Sequence, residues 1–545
     1  LANAARAATL TLMDLADLIR ALADPAAYPH PAESVEVRQT HISAVFLVGE
    51  FVYKVKKPVR LGFLDFSTLD RRHHFCAEEV RLNRRLAPDV YLGVVPITAA
   101  DGGARVEGGG APVEWAVKMR RLPEDATLHA WLRRGAATPE LLRGLAARLA
   151  RFHAEAAGGE HVAAFGRWEV VAGNARENFA QSAAQAGPVV APAVFERART
   201  LTDAALNLLR PLIEARAARG VPRDTHGDLR LDHVYLFPDR PPQGDVVVID
   251  CIEFNERFRY ADPVADAAFL AMDLRAEGRW DLARAFTAAY VAASGDAEGA
   301  ELFPFYHAYR AAVRAKVDGI KGLEPEVPAA ERTVALARAR AHWLLVLGRL
   351  DDPGRRPALV LVAGLPGTGK STLARGLADR AGFAVVRSDG VRKELAGLPP
   401  DARGTAAFGT GLYTPEWTER TYRECLRRAE GRLAEGGRVV VDASFREEAW
   451  RLTFLDAAVR LGVPALLLQC QAEPAVVRAR LAGRRGDVSD ADWAVYEQAA
   501  GQWQPPGDRT RRALTVVETA RGADEVLTEA IGHLRAAGLM WSGPA

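Results

Sequence analysis

The chain has 545 residues, a length that favours two to four domains, each burying a core of its own. Its 71 lysines and arginines nearly cancel 69 aspartates and glutamates, and the formal net charge is +2. Bulk electrostatics therefore argue against nucleic acid or an anionic membrane as a partner. Cys76, Cys251, Cys425 and Cys470 are too scattered for a metal or redox pair, as expected of reduced thiols in a cytoplasm. Hydrophobic runs are of strand length, and the alanine-rich start is broken by Asp14, Asp17 and Arg20. Neither a membrane span nor a signal peptide is expected.

In chain order, strand signals come first, between about Val35 and Met119. Ala44–Leu47, Phe51–Val55 and Glu114–Lys118 are the clearest, with a loose hairpin loop over Asp101–Gly110 and a charged helix, Ser67–Leu86, between them. Lysine is scarce in this arginine-rich chain, yet Lys54, Lys56 and Lys57 form one cluster. Such positions suit a compact ammonium better than a planar guanidinium. Lys54 and Lys56 are two residues apart and face the same side, so either can serve one site.

Helical periodicity follows over Pro139–Ala157, Phe195–Arg219 and from Asp262 nearly to a polar break, Asp351-Asp-Pro-Gly-Arg-Arg-Pro357. Between those helices lies His226-Gly-Asp228-Leu-Arg-Leu-Asp232-His233, then a strand, Val246–Ile249, ending at Asp250. Two carboxylates separated by one hairpin meet the needs of phosphoryl transfer. One takes or orients the acceptor proton; the other holds Mg²⁺ against the phosphates.

Beyond the break, the strand Leu359–Val362 runs into Gly364-Leu-Pro-Gly-Thr-Gly-Lys370-Ser371, and a helix follows from Thr372 to Ala381. This is a phosphate-binding loop in its proper strand–helix setting. Backbone N–H groups around Gly364, Gly367, Thr368 and Gly369 cradle phosphate oxygens, and Thr372 completes the nucleotide set. Lys370 reaches the β- and γ-phosphates and Ser371 holds Mg²⁺. Further strands at Phe383–Arg387, Arg438–Val441, Pro464–Gln469 and Ala513–Val517 alternate with helices at Trp417–Glu435 and Ala449–Leu461. That alternation predicts an α/β fold with a parallel sheet covered on both faces.

Asp389, at the end of the second of these strands, stands where a carboxylate can activate an acceptor hydroxyl, with Arg392 as an anion clamp. Ser388 or Asp389 would also serve as a helix N-cap. Asp442 ends the third strand as a Walker-B-like Mg²⁺ ligand. Arg478, Arg480, Arg484 and Arg485 lead into a polar stretch, Gly486–Asp492, that resembles the lid of small P-loop kinases, whose arginines close on the transferring phosphate. Arg484 is the arginine assigned to catalysis.

These residues carry a resemblance. His226-Gly-Asp228 with Ile249-Asp250 resembles the catalytic loop and metal-binding aspartate of the aminoglycoside phosphotransferase and choline kinase group. Asp24-Pro-Ala-Ala-Tyr-Pro-His30, His41-Ile-Ser43, Tyr53-Lys-Val-Lys-Lys-Pro58 and Phe63-Leu-Asp-Phe-Ser67 extend it. With them, almost the whole chain resembles bacterial two-domain proteins that join such a kinase to a P-loop ATPase. The second half is similar to kinases acting on polynucleotide ends, gluconate or chloramphenicol.

The resemblance implies a bilobal α+β, protein-kinase-like first domain over residues 1–350, its small lobe at about 20–122 and its helical lobe at about 123–350. A linker at 351–357 and a P-loop α/β domain at 358–545 follow. It implies Asp228 as catalytic base, Asp250 as Mg²⁺ ligand, Lys54 on the α- and β-phosphates, and Glu79 as the partner of Lys54, with Glu78 the register alternative. Glu253 and Asn255 extend the metal or acceptor shell, or are ordinary turn polarity. The chain departs from the pattern at His233, where the family has an asparagine as second metal ligand. Imidazole suits softer ions than Mg²⁺, so the first site can prefer Mn²⁺, use Asp232 instead, or be inactive. A G-x-G-x-x-G loop is also missing, its region held by Ser43 and Ala44. His-Gly-Asp in place of His-Arg-Asp argues against a protein kinase.

The leading expectation is thus a bifunctional ATP-dependent phosphotransferase acting on small-molecule hydroxyl acceptors. The alternatives are a regulatory protein whose degenerate first domain senses a metabolite and controls a P-loop ATPase or kinase, and a polynucleotide 5′-hydroxyl kinase. The sequence gives neither the acceptor nor the oligomeric state.

Overall fold

A computed structural model describes residues 14–100, 103–241, 244–399, 411–483 and 492–541. The chain divides into two compact units, one of residues 1–167, 212–270 and 284–300, the other of 168–211, 271–283 and 301–545. Arg484, Arg485 and most of the predicted lid fall outside the described residues, as do Asp101 and Gly102 of the predicted hairpin loop.

The first unit is built on a six-stranded antiparallel sheet. Its strands are β1 (Val35–Gln39), β2 (Ser43–Val48), β3 (Phe51–Lys56), β4 (Tyr91–Ala100), β5 (Gly103–Val106) and β6 (Pro112–Arg120), in the order β1-β2-β3-β6-β4-β5. β-Branched and aromatic residues at alternating positions favour these strands. Phe46, Val48, Tyr53 and Val55 pack one face of the sheet with Leu22 and Ile97. β3 is central, so Lys54 lies opposite Val45 on one side and Val117 on the other. β4 carries no clean alternation because Gly93 and Pro96 interrupt it, and its pairing with β6 shifts register twice.

Helix α1 (Leu69–Asn83) starts at Thr68, whose hydroxyl accepts the Arg71 N–H. It is shorter than the expected Ser67–Leu86. Its buried face carries Cys76, Val80 and Leu82, and also the charged Glu79. Helix α2 (Pro139–Glu155) is capped by Thr138. Strands β7 (Val234–Leu236) and β8 (Val246–Val248) form an antiparallel hairpin, with helix α3 (Pro263–Ala276) following in the chain.

The second unit holds a five-stranded, all-parallel sheet. Its strands are β9 (Ala358–Ala363), β10 (Ala384–Arg387), β11 (Arg438–Asp442), β12 (Ala465–Gln471) and β13 (Leu514–Glu518), in the order β10-β11-β9-β12-β13. Every residue of the central β9 is buried, as expected of a strand covered on both faces. Helix α4 (Lys370–Ala381) leaves the loop after β9 and packs Leu373, Ala374 and Leu377 into the core. The same unit contains a helical hairpin, Phe303–Leu323 and Ala329–Leu350, with Trp343 packed on Phe179 and Phe195 at 5.3 and 5.0 Å. Asp351, the first residue of the predicted break, ends that hairpin.

Among the described residues no helix is long and apolar enough to cross a membrane. The four cysteines are buried free thiols.

Candidate active sites

In the first unit, charged groups converge where β3, α1 and the segment after β8 meet. Lys54 Nζ lies 2.8 Å from Asp250 Oδ1 and 2.9 Å from Glu79 Oε1. Glu79 is fully buried, whereas its neighbour Glu78 turns outward and forks onto Arg81 at 2.9 and 2.7 Å. Lys56 Nζ lies 2.7 Å from Glu79 Oε2 and also bonds Glu253. The two lysines differ in access: the Lys54 side chain is 17% exposed and that of Lys56 1%. Burial disfavours the Lys54 ammonium, but Asp250 and Glu79 outweigh it and hold its pKa well above the ordinary value. Lys54 in turn holds the Asp250 carboxyl far below the usual carboxylate range.

Asp250 has a left-handed backbone, φ 65°. Such a conformation strains a residue with a Cβ, although aspartate tolerates it better than most. The neighbours over-determine it. Asp250 N–H donates to the Tyr91 hydroxyl at 3.2 Å, and Cys251 N–H to Asn83 Oδ1 at 2.9 Å. The Asp250 carboxylate is left about half exposed.

The loop bearing Asp228 is held from below. Asp266 of α3, wholly buried, accepts the N–H groups of His226 at 2.6 Å and Gly227 at 2.9 Å. His226 Nε2 donates to the Ile249 carbonyl at 3.0 Å while Nδ1 accepts the Asp228 N–H at 3.3 Å. Burial pushes its imidazole down to about 4, so it stays neutral and serves as a buttress. Gly227 sits at φ 85°, and a Cβ there would stand 2.8 Å from the Phe258 carbonyl oxygen. Asp228 and Asp250 flank His233, whose Nδ1 lies 3.6 Å from Asp228 Oδ2 and whose Nε2 lies 3.7 Å from Asp250 Oδ2.

Asp232 is turned to His129 Nδ1 at 2.8 Å, which with Arg230 lowers its carboxyl to about 2. Glu253 is buried on Lys56. Asn255 caps a short turn of helix, accepting the Arg257 N–H, and donates to the Phe63 carbonyl at 2.9 Å. Ser43 and Ala44 are buried in β2. Beside segment 253–259 opens a cavity of about 770 Å³, lined among others by Phe63, Phe75, Phe254, Arg71 and Arg257.

In the second unit the loop after β9 has left-handed or related glycines at 364, 367 and 369, with φ of 141°, 77° and 88°. At Gly364 the reason is space as well: a Cβ would stand 2.5 Å from the Cys470 carbonyl oxygen. Lys370 Nζ donates to the Leu365 carbonyl at 2.8 Å, folded back over its own loop. Thr368 Oγ1 closes the turn onto the same carbonyl at 2.8 Å. Ser371 and Thr372 open α4.

Asp442, 3% exposed, accepts a hydrogen bond from Ser371. Burial raises its carboxyl pKa, Lys370 and Ser371 pull it down, and the nearby Asp389 adds to the rise. Arg387 Nε is 3.5 Å from Asp442 Oδ2. Asp389 lies in the first turn after β10; the cap position is Arg387, and neither Ser388 nor Asp389 caps the helix through its side chain.

Arg392 does not reach into open space. It donates to the Leu412 carbonyl at 2.7 Å and stacks on Tyr413. Arg478 stacks on Trp493 at 4.2 Å, while Arg480 lines a cavity of about 320 Å³ with Gly367, Gly369, Thr372 and Thr519.

Several positioning residues escaped the sequence reading. Asp266 had a signal, one acid in the apolar run Val264-Ala-Asp-Ala-Ala-Phe269. Tyr91 and Thr519 had none. Thr519 ties the phosphate loop to the end of the sheet, donating to the Thr368 and Gln471 carbonyls at 2.7 and 2.8 Å.

Among the described residues no three or more His, Cys, Asp or Glu side chains are grouped to close on a metal ion. Asp250, and Asp442 with Ser371, nonetheless fit Mg²⁺, which takes one or two protein oxygen ligands and completes its shell with phosphate and water. With His233 as its second ligand the first site suits a softer ion such as Mn²⁺ better.

Comparison with known proteins agrees with this two-part layout. Residues 52–305 match the phosphotransferase enzyme family, and residues 359–506 match an AAA domain. Uncharacterized proteins of Mycobacterium tuberculosis and Mycobacterium bovis are 34% identical over 457 residues, covering 84% of this chain and 88% of theirs. Among solved structures, a sugar kinase from Janibacter sp. HTCC2649 is 18% identical over 34% of this chain and 98% of its own, with a TM-score of 0.26. A gluconokinase from Sinorhizobium meliloti 1021 gives 18% over 34% and 95%, also with a TM-score of 0.26. Likenesses of that size do not bear on substrate.

Proposed function

The chain is an ATP-dependent kinase of the two-domain family that joins a phosphotransferase-enzyme domain to a P-loop domain, and we propose that both of its domains transfer phosphate. In this reading each domain moves the γ-phosphoryl of ATP to a hydroxyl of a small molecule. The observation that carries it is the convergence of Lys54, Glu79 and Asp250 beside Asp228, in a chain that also bears a complete phosphate loop.

At the first site Lys54 contacts the α- and β-phosphates, Asp250 with His233 would hold Mg²⁺ or Mn²⁺, and Asp228 takes the acceptor proton. A bound metal would supply neutralisation of the phosphate charge. Asp228 is held within reach by His226, Gly227 and Asp266, which lowers the entropic cost of aligning acceptor and donor. The cavity of about 770 Å³ beside segment 253–259 falls within the range of small-molecule sites, about 300–1,000 Å³, and is the proposed acceptor pocket.

At the second site Gly364, Gly367, Thr368, Gly369 and Thr372 cradle the phosphates. Lys370 swings from the Leu365 carbonyl onto them, Ser371 and Asp442 would hold Mg²⁺, and Asp389 serves the acceptor. Arg480 lines the nucleotide cavity, and Arg484, in the adjoining segment, is proposed to close on the transferring phosphate. Residues 1–350 and 358–545 are the proposed domains and 351–357 the linker. The buried thiols favour a cytoplasmic location.

His233 favours one second reading, in which the first domain senses a metabolite and gates the P-loop domain without transferring phosphate. The test is transfer from γ-labelled ATP into a bacterial metabolite extract, in Mg²⁺ and separately in Mn²⁺, with a 5′-hydroxyl oligonucleotide in a parallel reaction. Labelled small-molecule products are expected, and no labelled oligonucleotide. Release of inorganic phosphate alone would sink the kinase reading in favour of the sensor. Oligonucleotide labelling would assign the second domain to polynucleotide ends.

A further inference from the structure

Five charged side chains of the first unit form one continuous ion chain. Asp250 meets Lys54 at 2.8 Å, Lys54 meets Glu79 at 2.9 Å, and Glu79 meets Lys56 at 2.7 Å. Lys56 then bonds Glu253, three residues beyond Asp250 on the same segment. The inner half is deeply buried: side-chain exposure is 0% at Glu79, 1% at Lys56 and 6% at Glu253. Burying charge is expensive unless every group is paired, so removing one member disturbs the next.

One lysine and one glutamate would suffice to hold ATP phosphates. The second pair lies on the inner side of Glu79 and is closed off from solvent. Its geometry gives it a different task. Glu79 has two carboxylate oxygens, and Lys56 occupies Oε2, which leaves Oε1 facing Lys54. Glu253 supplies Lys56 with a second carboxylate, so its ammonium does not draw Glu79 wholly to itself. The Phe66 ring, 5.0 Å from Lys56 Nζ, closes another side. Ile252 N–H donates to the His226 carbonyl at 3.1 Å, which ties the segment bearing Glu253 to the loop of Asp228.

We propose that Lys56 and Glu253 are positioning residues of the first ATP site, fixing Glu79 so that Lys54 is held between Glu79 and Asp250. This rests on the reading that the first unit binds ATP. Glu253 is thereby removed from the metal and acceptor shell and assigned to the support of Lys54.

The test uses the full chain carrying Lys370→Ala, which silences the second nucleotide site, with MgATP titrated calorimetrically and melting followed on the same samples. Lys54→Met lowers MgATP affinity by at least about tenfold, the size expected for losing a charge-assisted phosphate contact. Glu253→Gln, which keeps the shape, lowers it about tenfold because Lys56 now competes for Glu79. Lys56→Met combined with Glu253→Gln leaves Glu79 to Lys54 alone and restores affinity to within about threefold of the parent, a non-additive outcome. Lys56→Arg, which keeps the charge, binds more tightly than Lys56→Met.

Parent-like affinity in Glu253→Gln, with loss in Lys54→Met, overturns the proposal while sparing the ATP site. Affinities that only follow the melting temperature, with no recovery in the double variant, assign the pair to stability and also overturn it. A Lys370→Ala parent that binds no MgATP overturns the ATP site and the proposal together.

Discussion

Asp250 shows at a single residue how the first site is assembled. Its left-handed backbone costs about 1–2 kcal/mol relative to an extended one, and the Tyr91 hydroxyl and the Lys54 ammonium offset that cost. His226 adds a pH dependence whose sign follows from its burial. The unfolded imidazole takes a proton near 6.5, while the folded one refuses it until about 4. The unfolded chain therefore binds more protons in that window, and stability falls as pH drops through it. The loss is on the order of 3 kcal/mol for a shift of that size. Protection at peptides covering 226–252, with exchange corrected for its intrinsic pH dependence, is expected to fall between pH 7 and pH 4.5, and to fall less in His226→Asn. An equal loss of protection in both would remove His226 as the cause. At this scale the sequence offers candidates where chemistry is coded by residue type: Asp228, Asp250, Lys54 and the phosphate loop can all be singled out from it. It left Lys54 and Lys56 as competitors and Glu79 beside Glu78, because period-two and helical patterns give a face but not a partner. Distances separate them: Glu79 is shared by both lysines, and Glu78 belongs to Arg81.

Among the elements, α3 supports the loop bearing Asp228 through one residue. Asp266 places two acceptor oxygens under the His226–Gly227 backbone, which a neutral amide cannot reproduce. Asp266→Asn is expected to cost about 1–3 kcal/mol, the penalty for a buried donor left without an acceptor, and to slow transfer at the first site. Gly227→Ala should act in the same direction, since its Cβ would meet backbone oxygen at 2.8 Å in a conformation that disfavours side chains. Urea unfolding with single-turnover transfer checks both; an Asp266→Asn protein as stable as the wild type would contradict the buttress. Alternation of strand and helix made the second sheet legible almost strand by strand, because central parallel strands are continuously apolar. The first sheet was legible only in part. β4 hides behind Gly93 and Pro96, and Asp266 is one acid in an apolar helix until the loop it supports is seen in space.

Across the whole molecule, two unrelated folds each carry a set of groups suited to phosphoryl transfer, in a chain of nearly balanced charge. Balanced charge leaves the work to local arrangement: a buried ion chain at one site, a glycine-rich loop and a helix N-terminus at the other. The acceptor was not legible from the sequence, since the proposed acceptor pocket, lined by residues 60–65, α1 and the segment after β8, has no contiguous motif. The most direct measurement of the central claim compares wild type, Asp228→Asn, Lys370→Ala and the double variant for transfer of label from γ-labelled ATP into a metabolite extract. Two product classes are predicted, one lost only in Asp228→Asn, the other only in Lys370→Ala, and both lost in the double variant. If every product survived Asp228→Asn and vanished in Lys370→Ala, two-site catalysis would be contradicted and the first domain would be a sensor.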